Sequence, residues 1–307
     1  MKKIIAGLLL TLTVVAFGQK KHTVALNLEK GKTYNQGIDA TVEMTQMVAG
    51  QEIPITIAMN GKLSYTVAEI ANNAYTLDSK YIDLGMKMNA GGMNMEFSTT
   101  IEPTDTLSRI MYKMMKAITQ GTFKVIMSKQ GRVLEVTGIE SLLDGMMAQF
   151  PTLPDAQKEQ LKQQMAQSFG DKSLRGSIEM ATAIFPDKPV AIGETWSVEV
   201  LNNGSMPVKM NTQFVLSEVT STHYLLKGNA KVETDKTATS QSNGFDMTFD
   251  LKGTATSELK ISKTSGWIAE GVTKQNLSGS AIASGGQLPS PMTIGMTMDS
   301  TTKISGN

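Results

Sequence analysis

Apolar and polar residues alternate along most of this chain, and this period of two constrains its fold more than any other feature. The alternation is clear at residues 24–28 and again at 292–298. Successive side chains of a β-strand point to opposite faces, so the pattern predicts strands that are buried on one side. Pairs such as Asn60-Gly61 and Asn72-Asn73 lie between apolar runs and predict the turns of antiparallel hairpins.

Four short landmarks recur in the same order in the two halves of the chain. They are Gly31 to Tyr34 and Gly193 to Trp196, Glu69-Ile70 and Glu218-Val219, Gly92 to Phe97 and Gly244 to Phe249, and Ser128 to Gly131 and Ser262 to Gly266. Recurring landmarks indicate an internal repeat. We therefore predict a first β copy at residues 19–137, a helical connection at 138–192 and a second β copy at 193–307.

Amphipathic helices interrupt the strand pattern. Residues 103–120 form the first, which is inserted into the first copy, and residues 139–150, 154–169 and 174–184 follow between the copies. An isolated helix of this length is marginal in water, so each should lie on the sheet. The fold class is therefore α+β and mainly antiparallel β. Two α+β domains side by side would satisfy this pattern. We favour one large curved, half-barrel-like sheet whose concave face the helices cover, because the copies share a strand pattern and no flexible linker separates them.

The first eighteen residues have the features of a secretory signal peptide. Lys2 and Lys3 precede a short apolar run, and Ala16 and Gly18 supply small residues before a cleavage site after Gly18. The apolar run is shorter than the roughly 20 residues that span a bilayer. We therefore expect an exported protein that does not span the membrane and that resides in the periplasm or the extracellular space.

The composition weakens several classes of function. Lys and Arg total 29 against 28 Asp and Glu, so a nucleic-acid partner is not expected. Cysteine is absent and only two histidines occur, which removes thiolate catalysis and Cys-ligated zinc. The common catalytic and phosphate-binding motifs are missing, and Gly31-Lys32-Thr33 lacks the earlier glycine of a phosphate-binding loop. We expect no enzyme activity, no cofactor and no metal.

Methionine is the outstanding residue type, with 22 occurrences, many in alternating pairs such as Met86 and Met88. Thioether pairs can bind Cu(I), but a strand core also places a large apolar residue at every second position, and we favour the core interpretation. Methionine is also common where a surface adapts to varied apolar partners. A Met-rich inner sheet under the helix at 103–120 could hold a hydrophobic or lipid-like ligand, and a closed core is the alternative. The candidate ligand-binding residues are Met93, Met95, Phe97, Met111, Met114, Met115, Met247 and Phe249.

Short motifs along the chain carry a family resemblance. They are residues 17–19, the Lys-Gly-x-Thr-Tyr opening at 30–34, and residues 185–190, which run into Gly193 to Trp196. These motifs resemble a family of uncharacterised secreted proteins of Bacteroidota, and the resemblance implies a location in the cell envelope and no catalytic residue. In layout alone, the predicted sheet is similar to periplasmic carriers of outer-membrane lipoproteins. Our leading hypothesis is binding of a hydrophobic or lipid-like ligand; the alternative is a structural or protein-interaction role in the envelope.

Overall fold

The computed structural model describes residues 20–307 apart from residues 105, 205, 243 and 287, so the predicted signal peptide lies outside the described residues. In chain order the elements are β1 (Thr33–Val48), β2 (Gln51–Ala71), β3 (Ala74–Ala90), β4 (Met93–Ser98), α1 (Thr106–Ile118), β5 (Phe123–Ser128), β6 (Val133–Thr137), α2 (Ile139–Met147), α3 (Asp155–Phe169), α4 (Asp171–Thr182), β7 (Thr195–Asn202), β8 (Val208–Val219), β9 (His223–Thr234), β10 (Ser240–Ser242), β11 (Phe245–Ser262), β12 (Ile268–Ser284) and β13 (Met292–Gly306).

All of these strands belong to one antiparallel sheet, which confirms the single-sheet interpretation. The main path runs β6-β5-β3-β2-β1-β13-β12-β11-β9-β8-β7, with β4 beside β3 and β10 beside β11. Strands β6-β5-β3-β2-β1 and strands β12-β11-β9-β8-β7 follow the same relative order, and β13 joins the two groups. Two copies of one unit would produce this arrangement, although the division of the chain into copies stays a prediction.

One of the expected turns is absent and another is present. Asn72 and Asn73 adopt left-handed backbone angles, with φ of 49° and 61°, and connect β2 to β3. Asn60 and Gly61 instead lie in the middle of β2, so the turn predicted there is wrong. A Cβ at Gly61 would lie 3.3 Å from a methyl group of Leu84 on β3, and the glycine therefore relieves crowding inside the sheet.

The helices lie where the amphipathic pattern predicts them, with shifted ends. α1 spans Thr106–Ile118 within the expected 103–120, and α2 ends at Met147, before Pro151. α4 begins at Asp171, three residues before the predicted start. The reason is that Gly170 is extended and allows a new helix to begin, with Asp171 at its positive end. None of the helices in the described residues is long and apolar enough to cross a membrane.

Helix α4 lies against both edge strands of the main path, β6 and β7. Next to β6, the Arg132 guanidinium donates to the Glu199 backbone oxygen on β7 and pairs with Glu179 of α4 at 3.1 Å. The Thr182 hydroxyl donates to the Gly131 oxygen at 2.7 Å. Because one helix reaches both edges of the path, the sheet must curve strongly from one edge to the other.

The main core lies between the helices and one end of the sheet, which we call the helix-covered end. Tyr75 and Leu77 of β3, Ile118 of α1 and Met146 of α2 are almost fully buried in this core. Residues 24–28 complete it: the Leu26 amide donates to the Lys129 oxygen at 2.9 Å, and the Asn27 amide donates to the Ser265 oxygen at 2.7 Å. This segment therefore joins a hairpin tip of each strand group.

Candidate functional site: the inner face of the sheet

The sheet has an inner face, which we define as the side that carries Leu226, Leu259 and Ile304 and that packs under the helices. The strand register brings these three residues into one row, and every second residue along each strand shares their face. In the described strands, no inner position holds Asp, Glu, Lys, Arg or His. The polar inner residues are Ser, Thr, Asn, Gln and Tyr, so the whole inner face lacks formal charge at neutral pH.

One row of paired residues is apolar across ten consecutive strands, and it lies away from the helices except at β7, on which α4 packs. From β4 to β7 the row reads Met93, Ala90, Ile55, Met44, Met298, Leu277, Gly253, Val232, Met210 and Val200. On β8 to β13 this row belongs to a second apolar cluster, in which Leu251, Leu277 and Ala281 are almost fully buried. We call this part of the sheet the open end, because the helices pack at the other end.

On β1 to β4 the inner face of the open end is rich in methionine and only partly covered. We call Met44, Met59, Met86, Met88, Met93 and Met95 the methionine array. Met88 pairs with Met95, and Met59 pairs with Met86, which pairs in turn with Phe97.

The exposure of this array is unusual for the core-facing side of a sheet. Met59 is 42% exposed, Met95 46% and Met93 74%, while Met127 and Met146 at the helix-covered end are 0% exposed. Met93 and Met95 lie on the edge strand β4, which has only β3 as a partner among the described strands, and no helix packs extensively on β1 to β3. The flexible apolar side chains of the array are therefore exposed to solvent next to the second apolar cluster.

The structure divides the predicted ligand-binding residues between three places. Met93 and Met95 belong to the exposed array, and Phe97 of β4 and Met114 of α1 lie half-buried against the main core. Met115 is buried in that core. Met247 and Phe249 pack against the second cluster. The side chain of Met111 is outside the described part of the structure.

Sequence reasoning missed four members of the array, Met44, Met59, Met86 and Met88. All four occupy alternating apolar runs, so the signal for an inner position was present. What the sequence lacks is the register, which sets Met59 beside Met86 and Met44 beside Ile55. The sequence also gives no sign that the helices end before this region.

A patch of uncharged polar residues adjoins the methionine array. It consists of Ser257, Thr273, Gln275, Ser300 and Thr302 on β11 to β13, and we call it the polar patch. All five are half-buried, and the hydroxyl oxygens of Ser257 and Thr273 lie 3.0 Å apart. Ser300 pairs directly with Val42 and Thr302 with Ala40 on β1, so the patch meets the apolar surface without a gap.

Charged residues of the strands occupy the outer face, where several of them form ion pairs across neighbouring strands. Lys87 Nζ lies 2.9 Å from a Glu96 carboxylate oxygen on the outer side of the strands that carry the array.

On the inner face, burial raises the pKa of Tyr81 to about 12, so this tyrosine is neutral at physiological pH. No group of three or more His, Cys, Asp or Glu side chains among the described residues could hold a metal ion.

Several solved structures are weakly similar to this chain. Lipovitellin, in a structure concerned with lipid–protein interactions, matches 92% of this chain at 10% identity with a TM-score of 0.47. This chain spans only 25% of the lipovitellin chain. An outer membrane channel from Pseudomonas putida F1 matches 92% of this chain and 97% of its own at 6% identity, with a TM-score of 0.27. The translocator domain of autotransporter NalP from Neisseria meningitidis matches 91% of this chain and 90% of its own at 8% identity, with a TM-score of 0.23.

These scores are too low to support any functional argument. No curated protein matches the sequence. A family model described as "Family of unknown function (DUF6263)" matches residues 72–268, which is well over half of the chain. The match includes β3 to β11, the four helices and most of the strands of both groups. The chain therefore belongs to this family of unknown function, DUF6263.

Proposed function

We propose that the chain binds a hydrophobic or lipid-like ligand on the methionine array. One observation carries the proposal: methionines of four neighbouring strands lie side by side, in register, on an inner face without charge, and three of them are 42% to 74% exposed. A closed core would bury these side chains, as it buries Met127 and Met146. Methionine has three rotatable bonds and a polarizable sulfur, so the array can adapt its shape to a flexible apolar chain.

Binding, and not catalysis, is the role that the site supports. The inner face offers dispersion contacts and hydroxyl or amide hydrogen bonds, but it presents no ionised base or acid to a bound molecule. Such a surface can hold and release a ligand without changing it. The proposed site lies beside α1 and opens to solvent.

We also propose that the protein acts outside the cytoplasm, because its first eighteen residues have the pattern of a signal peptide. Fractionation of the native cells, followed by mass measurement of the mature chain, tests this point. A chain that begins at Gln19 and leaves the cytoplasm supports it. A cytoplasmic chain that retains Lys2 and Lys3 contradicts it.

A pair of variants tests the proposed site. Met95→Lys places a charge on the array, and Asn94→Lys places the same charge on the opposite face of the same strand. Titration with an apolar dye that fluoresces on binding should show about tenfold weaker affinity for Met95→Lys, because an unpaired charge on an apolar surface is costly. Asn94→Lys should bind the dye as the wild type does.

Mass spectrometry of the intact protein, purified from its own cells under native conditions, complements the titration. Copurifying lipid supports the proposal. A clean unliganded mass together with no dye uptake would refute it and would favour a protein-interaction role. The six-residue edge strand β4, which pairs only with β3 among the described strands, is then the surface to examine.

A further inference from the structure

The class of ligand can be narrowed from the distribution of charge across the sheet. Cross-strand pairs such as Lys227 with Glu258 and Lys260 with Glu270 are confined to the outer face. The inner positions on the same strands are Leu226, Leu259 and their neighbours in register. A carboxylate, phosphate or ammonium group bound inside would therefore meet no opposite charge and would lose part of its hydration.

The polar patch offers uncharged hydrogen-bonding groups on the same inner face. Ser257, Thr273, Ser300 and Thr302 carry hydroxyl groups that can both donate and accept, and Gln275 adds an amide with both capacities. These groups suit a hydroxyl, ester or amide, which also donates or accepts without formal charge. A site built for an anion would contain Lys or Arg at such positions.

The patch and the array are placed to hold the two parts of one molecule. Ser300 and Thr302 on β13 pair with Val42 and Ala40 on β1, and the array extends from β1 to β4. Three inter-strand spacings separate β1 from β4, so the apolar surface is about 14 Å wide. A single ligand can therefore contact the patch with a polar group while its chain lies across the methionines.

We propose that the ligand is a neutral amphiphile, with an uncharged hydroxyl, ester or amide group on the polar patch and an apolar chain on the methionine array. This inference rests on the proposed function and deepens it. It separates uncharged lipids, which fit the inner face, from fatty-acid anions, anionic phospholipids and alkylammonium ions, which do not.

The test compares three probes that share one saturated chain: 1-monomyristoylglycerol, myristate and myristylamine. The affinity of each probe for the full mature chain is measured by its displacement of the apolar dye. The measurement is made at pH 9, where the carboxylate is ionised, and again at pH 7.5, where the amine is charged. Below their critical aggregation concentrations, the glycerol ester should bind at least about tenfold more tightly than either charged probe. Equal affinity for the ester and for myristate would overturn the inference and leave the proposed function intact. Failure of all three probes to bind would refute both.

A charge introduced into the polar patch should reverse the preference. Gln275→Lys places an ammonium group on the inner face, and the variant should then bind myristate at least as tightly as the glycerol ester. The matched control is Asn276→Lys, one residue away on the outer face, where Asn276 already contacts Asp299 at 2.8 Å. This control should keep the wild-type preference.

Both variants are checked for folding by circular dichroism before binding is measured. If Gln275→Lys does not fold, the preference of the wild-type protein among the three probes still decides the question. An equal change of preference in Gln275→Lys and Asn276→Lys would contradict the assignment of the polar patch as the contact for the uncharged group.

Discussion

Substitution of Tyr75 by Phe tests whether residues 24–28 seal the main core. Tyr75 is 2% exposed, and its hydroxyl donates to the Leu26 oxygen at 2.9 Å while accepting from the Leu28 amide at 3.3 Å. Removing this one oxygen leaves two buried backbone groups without that partner. A buried polar group that loses its hydrogen bond costs about 1–3 kcal/mol, so Tyr75→Phe should lower the free energy of unfolding by about 2–4 kcal/mol.

Tyr34→Phe provides a graded control on the same segment. The Tyr34 hydroxyl accepts a single hydrogen bond, from the Glu29 amide at 3.1 Å, in a partly buried setting where water can replace it. Its loss should cost about 1 kcal/mol. Urea denaturation of wild type and both variants measures the two free-energy changes. Hydrogen exchange should also become faster at the Leu28 amide in Tyr75→Phe alone.

Two results would contradict this prediction: Tyr75→Phe is less destabilised than Tyr34→Phe, or its free energy of unfolding lies within about 0.5 kcal/mol of the wild-type value. Either result would mean that the hydrogen bonds between Tyr75 and residues 26–28 do not hold the segment in place. The closure of the helix-covered end would then rest on apolar packing and on the backbone hydrogen bonds from Leu26 and Asn27 to the two hairpin tips.

Two glycines and one tyrosine offer further tests of the fold. A Cβ at Gly131 would overlap the Thr182 carbonyl oxygen. The free energy of unfolding of Gly131→Ala, measured by thermal unfolding, should therefore be lower than that of the wild type by at least about 2 kcal/mol. Gly193 has a similar φ of 84° but open space around it. The free energy of unfolding of Gly193→Ala should therefore fall only by the cost of backbone strain, about 1–2 kcal/mol. Burial raises the pKa of Tyr81 to about 12, so this residue contributes stability below pH 10 that declines toward pH 12. Tyr81→Phe should remove that part of the alkaline destabilisation, measured as urea unfolding free energy against pH.

The class of fold was accessible from the sequence because the period of two is local information. Each strand carries its own alternation, and residues such as Met86 and Met88 identify an inner position without knowledge of their partners. The helices were accessible for the same reason, since their apolar stripes and the proline and glycine residues at their ends are local.

The register and the position of the helices over the sheet were not accessible. Asn60-Gly61 has the composition of a turn, but pairing with β1 and β3 on both sides keeps it within β2. Contacts between distant parts of the chain decide such cases, and propensity alone does not reveal them. The bridging of β6 and β7 by α4 likewise depends on Arg132 and Glu199, which are far apart in the sequence.

The same limit explains the candidate site. The pattern identified Met93 and Met95 as inner residues of β4, and the register adds Met59 and Met88 to their surface. The uncharged inner face is a property of the whole sheet. It can be recognised only when the residues of every strand are assigned to one side or the other.

Methionine methyl resonances offer the most direct test of the central claim that the open end of the inner face binds an apolar ligand. In protein labelled with 13C at the methionine methyl groups, addition of 1-monomyristoylglycerol should shift the signals of Met59, Met88 and Met95. The Met146 signal in the main core should not change, nor should that of Met47, which is 40% exposed on the outer face of β1. Shifts at Met47 equal to those at Met59 and Met95, or no shifts at the array when ligand is in excess, would contradict the account.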